Sequence, residues 1–236
     1  MKRQISLLYL HARHSLQWVV MILGVMAVIQ LGVAYGTLRA DSAIDLETLL
    51  DGRFFRWAGG IALTGVVATV TYLCSGSGIY YTMERLPVPK WTIKWWFVLY
   101  GVLVMLLCWA VQLLVVLLVC VGYQHMAAIE MIHTQTVLIA SYFSYYFHRL
   151  MPLADTVSLV STVVLYLCLG IGSGLGAVSV WYGKRPIGIL IVALCTGFEF
   201  GSIGSDVLGK ALSGLAFCLV FMMAAKLTEM RGEGKT

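Results

Sequence analysis

Six apolar runs in this chain are each long enough to cross a lipid bilayer, which takes about 20 apolar residues in a helix. The runs cover residues 18–37, 57–75, 95–122, 154–180, 187–204 and 207–226. Only 11% of the residues are charged, whereas a soluble domain carries about 25%. A water-soluble fold cannot bury this much apolar surface, so the excess must face lipid. The sequence therefore predicts one all-α integral membrane domain over residues 1–236, with six transmembrane helices.

The first 17 residues have an amphipathic pattern. Ile5 and Leu8 recur at helical spacing, and Arg3 and Arg13 fall on the opposite face. A basic amphipathic helix lies along a membrane surface. We therefore predict an interfacial helix over residues 1–17 that leads into the first span. The alternative is a cytoplasmic extension of that span.

Lysine and arginine are unevenly distributed between the predicted loops. With the N-terminus inside, the inner segments carry 11 of the 16 basic residues and the outer segments carry 5. Inner loops of membrane proteins are enriched in these residues, so we expect both termini in the cytoplasm. The net charge of +5 then reflects membrane topology, and we expect no nucleic-acid partner.

The stretch 123–153 lies between the third and fourth spans and is moderately apolar. It contains Glu130 and Arg149 and an aromatic cluster over residues 142–147. A seventh span here would move the C-terminus outside and weaken the charge asymmetry. We therefore predict an outer-face element, either re-entrant or interfacial, and keep a seventh span as the alternative.

Few charged or amide side chains lie at membrane depth in the predicted spans. Glu199 and Lys210 lie towards the outer side of spans five and six. A lone charge at membrane depth is costly, so we expect these two either to pair or to reach the interface. Gln30 and Gln112 lie mid-span, where we expect hydrogen bonds between helices.

The sequence contains no recognisable catalytic or metal-binding motif. The five histidines form no H-E-x-x-H spacing and the six cysteines form no C-x-x-C pair. The tail Gly232–Thr236 is similar to the end of a phosphate loop, but Glu229 stands where that loop needs glycine. We expect no enzyme activity, metal or cofactor in this chain.

Alternating glycines mark the fourth predicted span, at Gly170, Gly172, Gly174 and Gly176. Residues four apart share one helix face, so these form two small-xxx-small pairs. Such pairs allow two helix backbones to approach closely. We predict that they serve helix packing.

The inner loop between spans two and three carries a mixed apolar and charged patch. A glycine-rich exit at residues 75–78 leads to this patch, and the next span begins with three tryptophans. The residues predicted to bind a partner are Met83, Glu84, Arg85, Leu86, Pro87 and Lys90. A solvated loop explains the charges alone, whereas the mixed patch favours docking into a groove of another protein.

With this loop, the chain resembles the permease subunits of ABC-2-type ABC transporters. In that family an inner-surface helix precedes six spans, and the loop between spans two and three forms a coupling helix with an acidic residue before a proline. Here Glu84 and Pro87 match that pattern. The chain departs from it at Tyr81–Met83, where the family often has Gly-x-Leu, and in carrying its long outer element between spans three and four.

The resemblance implies a membrane-spanning subunit of an exporter in a bacterial plasma membrane. A separate ABC ATPase subunit would bind ATP and Mg and would contact the Met83–Lys90 segment. A second permease subunit, identical or related, would complete the transport path, and membrane lipid would surround both subunits. Peptides or drugs are the expected cargo. The alternative is a non-transporting scaffold or sensor subunit whose loop at 76–94 binds a regulatory partner.

Overall fold

The computed structural model describes residues 2–41, 44–73, 90–126, 134–153, 155–202 and 206–233. Within these ranges every regular element is a helix, which agrees with the predicted all-α class. In chain order the helices are α1 Lys2–Ala40, α2 Leu46–Leu50, α3 Arg53–Leu73, α4 Lys90–Met126, α5 Thr134–Phe143, α6 Tyr145–Leu150, α7 Thr156–Trp181, α8 Ile187–Gly201 and α9 Asp206–Glu233.

Four of these helices are long and apolar enough to cross a membrane. The qualifying segments are Ser15–Ala40, Arg53–Leu73, Trp91–Met126 and Thr156–Trp181. Two shorter apolar segments, Ile187–Gly201 and Lys210–Ala224, lie in α8 and α9. A helix satisfies all its backbone hydrogen bonds internally, which is what a segment surrounded by lipid requires. The chain is therefore a helical protein suited to a membrane.

The N-terminal segment is not a separate element. Helix α1 runs without a break from Lys2 to Ala40, so the predicted boundary between an interfacial helix over 1–17 and a first span at 18 is absent. Neither glycine nor proline occurs before Gly24, and without such a residue nothing ends the helix near residue 17. A continuous helix is compatible with an interfacial segment that leads into the first span and with its alternative, an extension of that span.

Successive long helices run in opposite directions along the chain, so α3 and α9 are parallel to α7 and α4 is antiparallel to it. Helix α7 packs against α3, α4 and α9, while α3 also packs against α1 and α8. The starts of α1, α4 and α8 therefore lie with the ends of α3, α7 and α9, and we name this side of the bundle the Lys94 end. The opposite side carries the short helices α2, α5 and α6, and we name it the Asp51 end.

The four glycines of α7 face two different sets of neighbours. Gly170 and Gly174 face the backbone of α4, where a Cβ on Gly174 would lie 2.6 Å from the Phe97 carbonyl oxygen. Gly172 and Gly176 face Ile189 of α8, and Gly176 also faces Thr71 of α3. Small residues on opposite faces thus allow α7 to lie close to several helices at once.

Gly174→Ala should destabilise the bundle by about 1–3 kcal/mol, because the added methyl group meets backbone atoms that cannot rotate away. The matched control is Gly24→Ala in α1, where a Cβ would have nothing within 4 Å. Thermal unfolding in detergent measures both variants. Equal melting temperatures for the two variants would contradict the packing role of Gly174.

Candidate functional site

The short helix α6 is fixed to the bundle by the Asp51 carboxylate. Oδ1 of Asp51 accepts hydrogen bonds from the Ser144 hydroxyl at 2.9 Å and the Tyr146 amide at 3.0 Å, and Oδ2 accepts from the Tyr145 amide at 3.0 Å. These amides belong to the first turn of α6, which has no backbone partners of its own. Asp51 therefore joins the turn before α3 to the start of α6.

The Tyr146 side chain anchors α6 by packing in the core of the bundle. Its ring lies edge-on to Phe55 of α3, with centroids 5.2 Å apart. The Gln30 side chain of α1 donates one hydrogen bond to the Tyr146 hydroxyl at 3.1 Å and another to the Phe55 carbonyl at 2.9 Å. Both Gln30 and Tyr146 are fully buried. The predicted interhelical hydrogen bonding of Gln30 is confirmed.

Gln112 forms a second buried polar junction. Its amide nitrogen donates to the Gly59 carbonyl of α3 at 3.3 Å, and its amide oxygen accepts from the Tyr166 hydroxyl of α7 at 2.9 Å. Gly59 also faces the Tyr146 hydroxyl, which leaves no space for a side chain there. Polar contacts thus connect α1, α3, α4, α6 and α7 within one layer, and such networks favour a single packing arrangement.

A buried ion pair links α6 to α8. The Arg149 guanidinium contacts the Glu199 carboxylate. The Glu199 side chain is only 1% exposed and that of Arg149 is 14% exposed. Lys210 instead pairs with Asp155 at 3.4 Å, and both of those side chains are about half exposed. Of the two alternatives expected for Glu199 and Lys210, pairing with each other is wrong, because Glu199 pairs with Arg149 and Lys210 pairs with Asp155.

Asp155 also begins α7. Its carboxylate accepts hydrogen bonds from the Ser158 hydroxyl at 2.6 Å and the Val157 amide at 3.0 Å. The Ser158 hydroxyl, followed by the Val157 amide and the nearby Lys210, lowers the Asp155 pKa below its usual value. A lowered pKa in the folded state means that this contribution to stability is present at neutral pH and is lost as the pH falls through that value.

A small cleft opens beside the buried ion pair at the Asp51 end. Its volume is about 20 Å³. Its walls come from Arg149, Ser158, Ser161, Thr162, Leu165, Phe200 and Lys210. Hydroxyl and charged side chains form part of this lining, which comes from α6, α7, α8 and α9.

Most of the predicted partner-binding residues, Met83–Pro87, lie outside the described residues, and Lys90 is the first residue of α4. Among the described residues no group of three or more His, Cys, Asp or Glu side chains is arranged to hold a metal ion. The contacts of Asp51 and Tyr146 were missed from the sequence. A Tyr-rich stretch with one arginine signals burial against polar partners, but spacing along the chain does not identify those partners.

No family model, no curated protein and no solved structure matches this chain. Its function is therefore argued from its residues and from the arrangement of its helices.

Proposed function

We propose that this chain is the membrane-spanning permease subunit of an ABC exporter. Six helices, α1, α3, α4, α7, α8 and α9, would cross the membrane with both termini in the cytoplasm. Energy would come from a separate ATPase subunit that binds ATP and Mg, and a second permease subunit would complete the path. Peptides or drugs are the proposed cargo, and a bacterial plasma membrane is the proposed location.

The observation that carries the proposal is the charge difference between the two ends of the bundle. Among the described residues, the half towards the Lys94 end has nine basic and two acidic residues: Lys2, Arg3, Arg13, Lys90, Lys94, Lys184, Arg185, Lys226, Arg231, Glu229 and Glu233. The opposite half has five basic and seven acidic residues: Arg39, Arg53, Arg56, Arg149, Lys210, Asp41, Asp45, Glu47, Asp51, Asp155, Glu199 and Asp206. Cytoplasmic ends carry the excess of Lys and Arg.

This difference supports a cytoplasmic position for the chain that connects α3 to α4. That connection carries Glu84 and Arg85, and α3 ends and α4 begins at the basic Lys94 end. A permease without a nucleotide site needs mechanical contact with its ATPase, and only the cytoplasmic side offers ATP. The α6 helix, joined to α1, α3 and α8 by the contacts above, would close the opposite side of the path.

The proposed orientation predicts opposite labelling of two single cysteines. In a background that lacks the six native cysteines, Thr48→Cys in α2 should react with a membrane-impermeant thiol reagent in intact cells. Thr236→Cys should react only after the cells are opened, because the positive-inside rule places that end in the cytoplasm. Labelling of Thr236→Cys in intact cells would contradict the orientation.

The alternative, a scaffold or sensor subunit, differs in one measurable property. Vesicles that contain the chain and its ATPase should move a fluorescent cargo only with ATP and Mg. A scaffold would bind its partner and leave transport unchanged.

A further inference from the structure

An apolar groove runs along the surface of α7 at the Lys94 end, between α4 and α9. Its volume is about 140 Å³, and it exposes only apolar atoms. Ile171 and Leu175 of α7 form its floor, since residues four apart lie on the same helix face. Val98 of α4 and Ala224 of α9 form parts of its two walls.

The groove exists because α4 and α9 both pack on α7 while making few contacts with each other. The close approach of α4 is permitted by Gly170 and Gly174, and Val220 of α9 packs near Gly172. Ala224 then presents only a methyl group towards the gap. The space between the two helices is apolar and open on one side, a shape that suits a hydrocarbon chain.

Aromatic and basic side chains surround the Lys94 end of this groove. Trp91 and Trp95 of α4 are 43% and 56% exposed and pack edge to face, with centroids 5.6 Å apart. The Lys94 ammonium lies 5.2 Å from the centroid of the Tyr182 ring. The exposed Lys184 and Arg185 follow Tyr182 in the same turn. Tryptophan prefers the interface between lipid tails and headgroups, and lysine and arginine attract anionic lipids there.

We propose that this groove is a binding site for an anionic phospholipid. One acyl chain lies over Ile171 and Leu175, and the phosphate lies beside Lys94, Lys184 and Arg185. The positive charges of Lys94, Lys184 and Arg185 select the headgroup. The acyl chain alone cannot, because it binds equally well whatever the headgroup charge of its lipid. The site depends on membrane insertion and is independent of the proposed exporter function.

Native mass spectrometry of the delipidated protein, titrated with phosphatidylglycerol and with phosphatidylcholine of the same acyl chains, tests the proposal. Phosphatidylglycerol should bind at least about fivefold more tightly, which is the effect of one basic residue at a membrane surface. Lys94→Gln should reduce this preference about fivefold. Val98→Phe should abolish it by filling the groove.

Leu114→Phe is the matched control, because Leu114 is 54% exposed on the same helix outside the groove. It should keep the preference, and melting temperatures show whether each variant is folded. Equal affinity for the two lipids in the unaltered protein, or an unchanged preference in Val98→Phe, would overturn the proposal. A change from dimer to monomer in Val98→Phe without any lipid preference would instead assign the groove to a second copy of the chain.

Discussion

Arg149→Met should lower the free energy of unfolding by about 3–5 kcal/mol, because it leaves the Glu199 carboxylate buried without its partner. The carboxylate is 1% exposed, so water cannot replace the lost guanidinium. Since Arg149 lies in α6 and Glu199 in α8, the loss should also loosen α6 from the bundle. Thermal and denaturant unfolding in detergent measure the change in stability.

Two controls separate the buried charge from other effects. The double variant Arg149→Met with Glu199→Leu should recover most of the lost stability, since replacing both members of a buried pair by apolar groups is often neutral. Lys210→Met breaks the half-exposed pair with Asp155 and should change unfolding little. A double variant as unstable as Arg149→Met alone would show that the ion pair is not the cause.

Glu84→Ala combined with Arg85→Ala should weaken binding of the ATPase subunit by about 2–4 kcal/mol, a loss of roughly 30- to 1,000-fold in affinity. In the proposed contact these side chains form charge-assisted hydrogen bonds in a groove of the partner, and Met83 and Leu86 fill its apolar floor. Binding of the purified ATPase to the permease in nanodiscs measures the loss. Stimulation of ATP hydrolysis by cargo should fall with it.

The matched control removes the same two charges from another position at the Lys94 end. Glu229→Ala with Arg231→Ala alters the last part of α9 and should leave ATPase affinity unchanged. Both double variants should unfold at the temperature of the unaltered protein. Normal ATPase binding by the Glu84 and Arg85 variant would assign the 76–94 segment to a solvated loop.

The sequence predicted the long helices because an apolar run of sufficient length has few alternatives in lipid. The predicted spans are shorter than the observed helices where charged residues continue a helix. The run from residue 57 begins at Arg53 in the structure, since Arg56 is buried and donates a hydrogen bond to the Asp51 carbonyl at 2.9 Å. Hydropathy identifies the lipid-facing part of a helix, whereas helix ends depend on polar contacts of this kind.

Contacts between distant residues were the part that the sequence did not predict. The hydrogen bonds of Gln30 were expected, but their acceptors, Tyr146 and Phe55, were not. The position of Glu199 within an apolar run predicts that it needs a partner, and that partner is Arg149, in a stretch for which the sequence allows three alternatives. A local pattern indicates that a buried polar group needs a hydrogen-bond partner. The tertiary fold determines which residue that partner is.

The quantity of ABC ATPase that co-purifies with the tagged chain tests the central claim most directly. The chain is extracted in mild detergent from the membranes of its native cells, and bound proteins are identified by mass spectrometry. The proposed function predicts a partner with a G-x-x-x-x-G-K-[ST] phosphate loop in near-equal amount, Mg-dependent ATP hydrolysis in the purified complex, and loss of both in the Glu84→Ala, Arg85→Ala variant. Purification of the intact, folded chain with no ATPase and no ATP hydrolysis would contradict it.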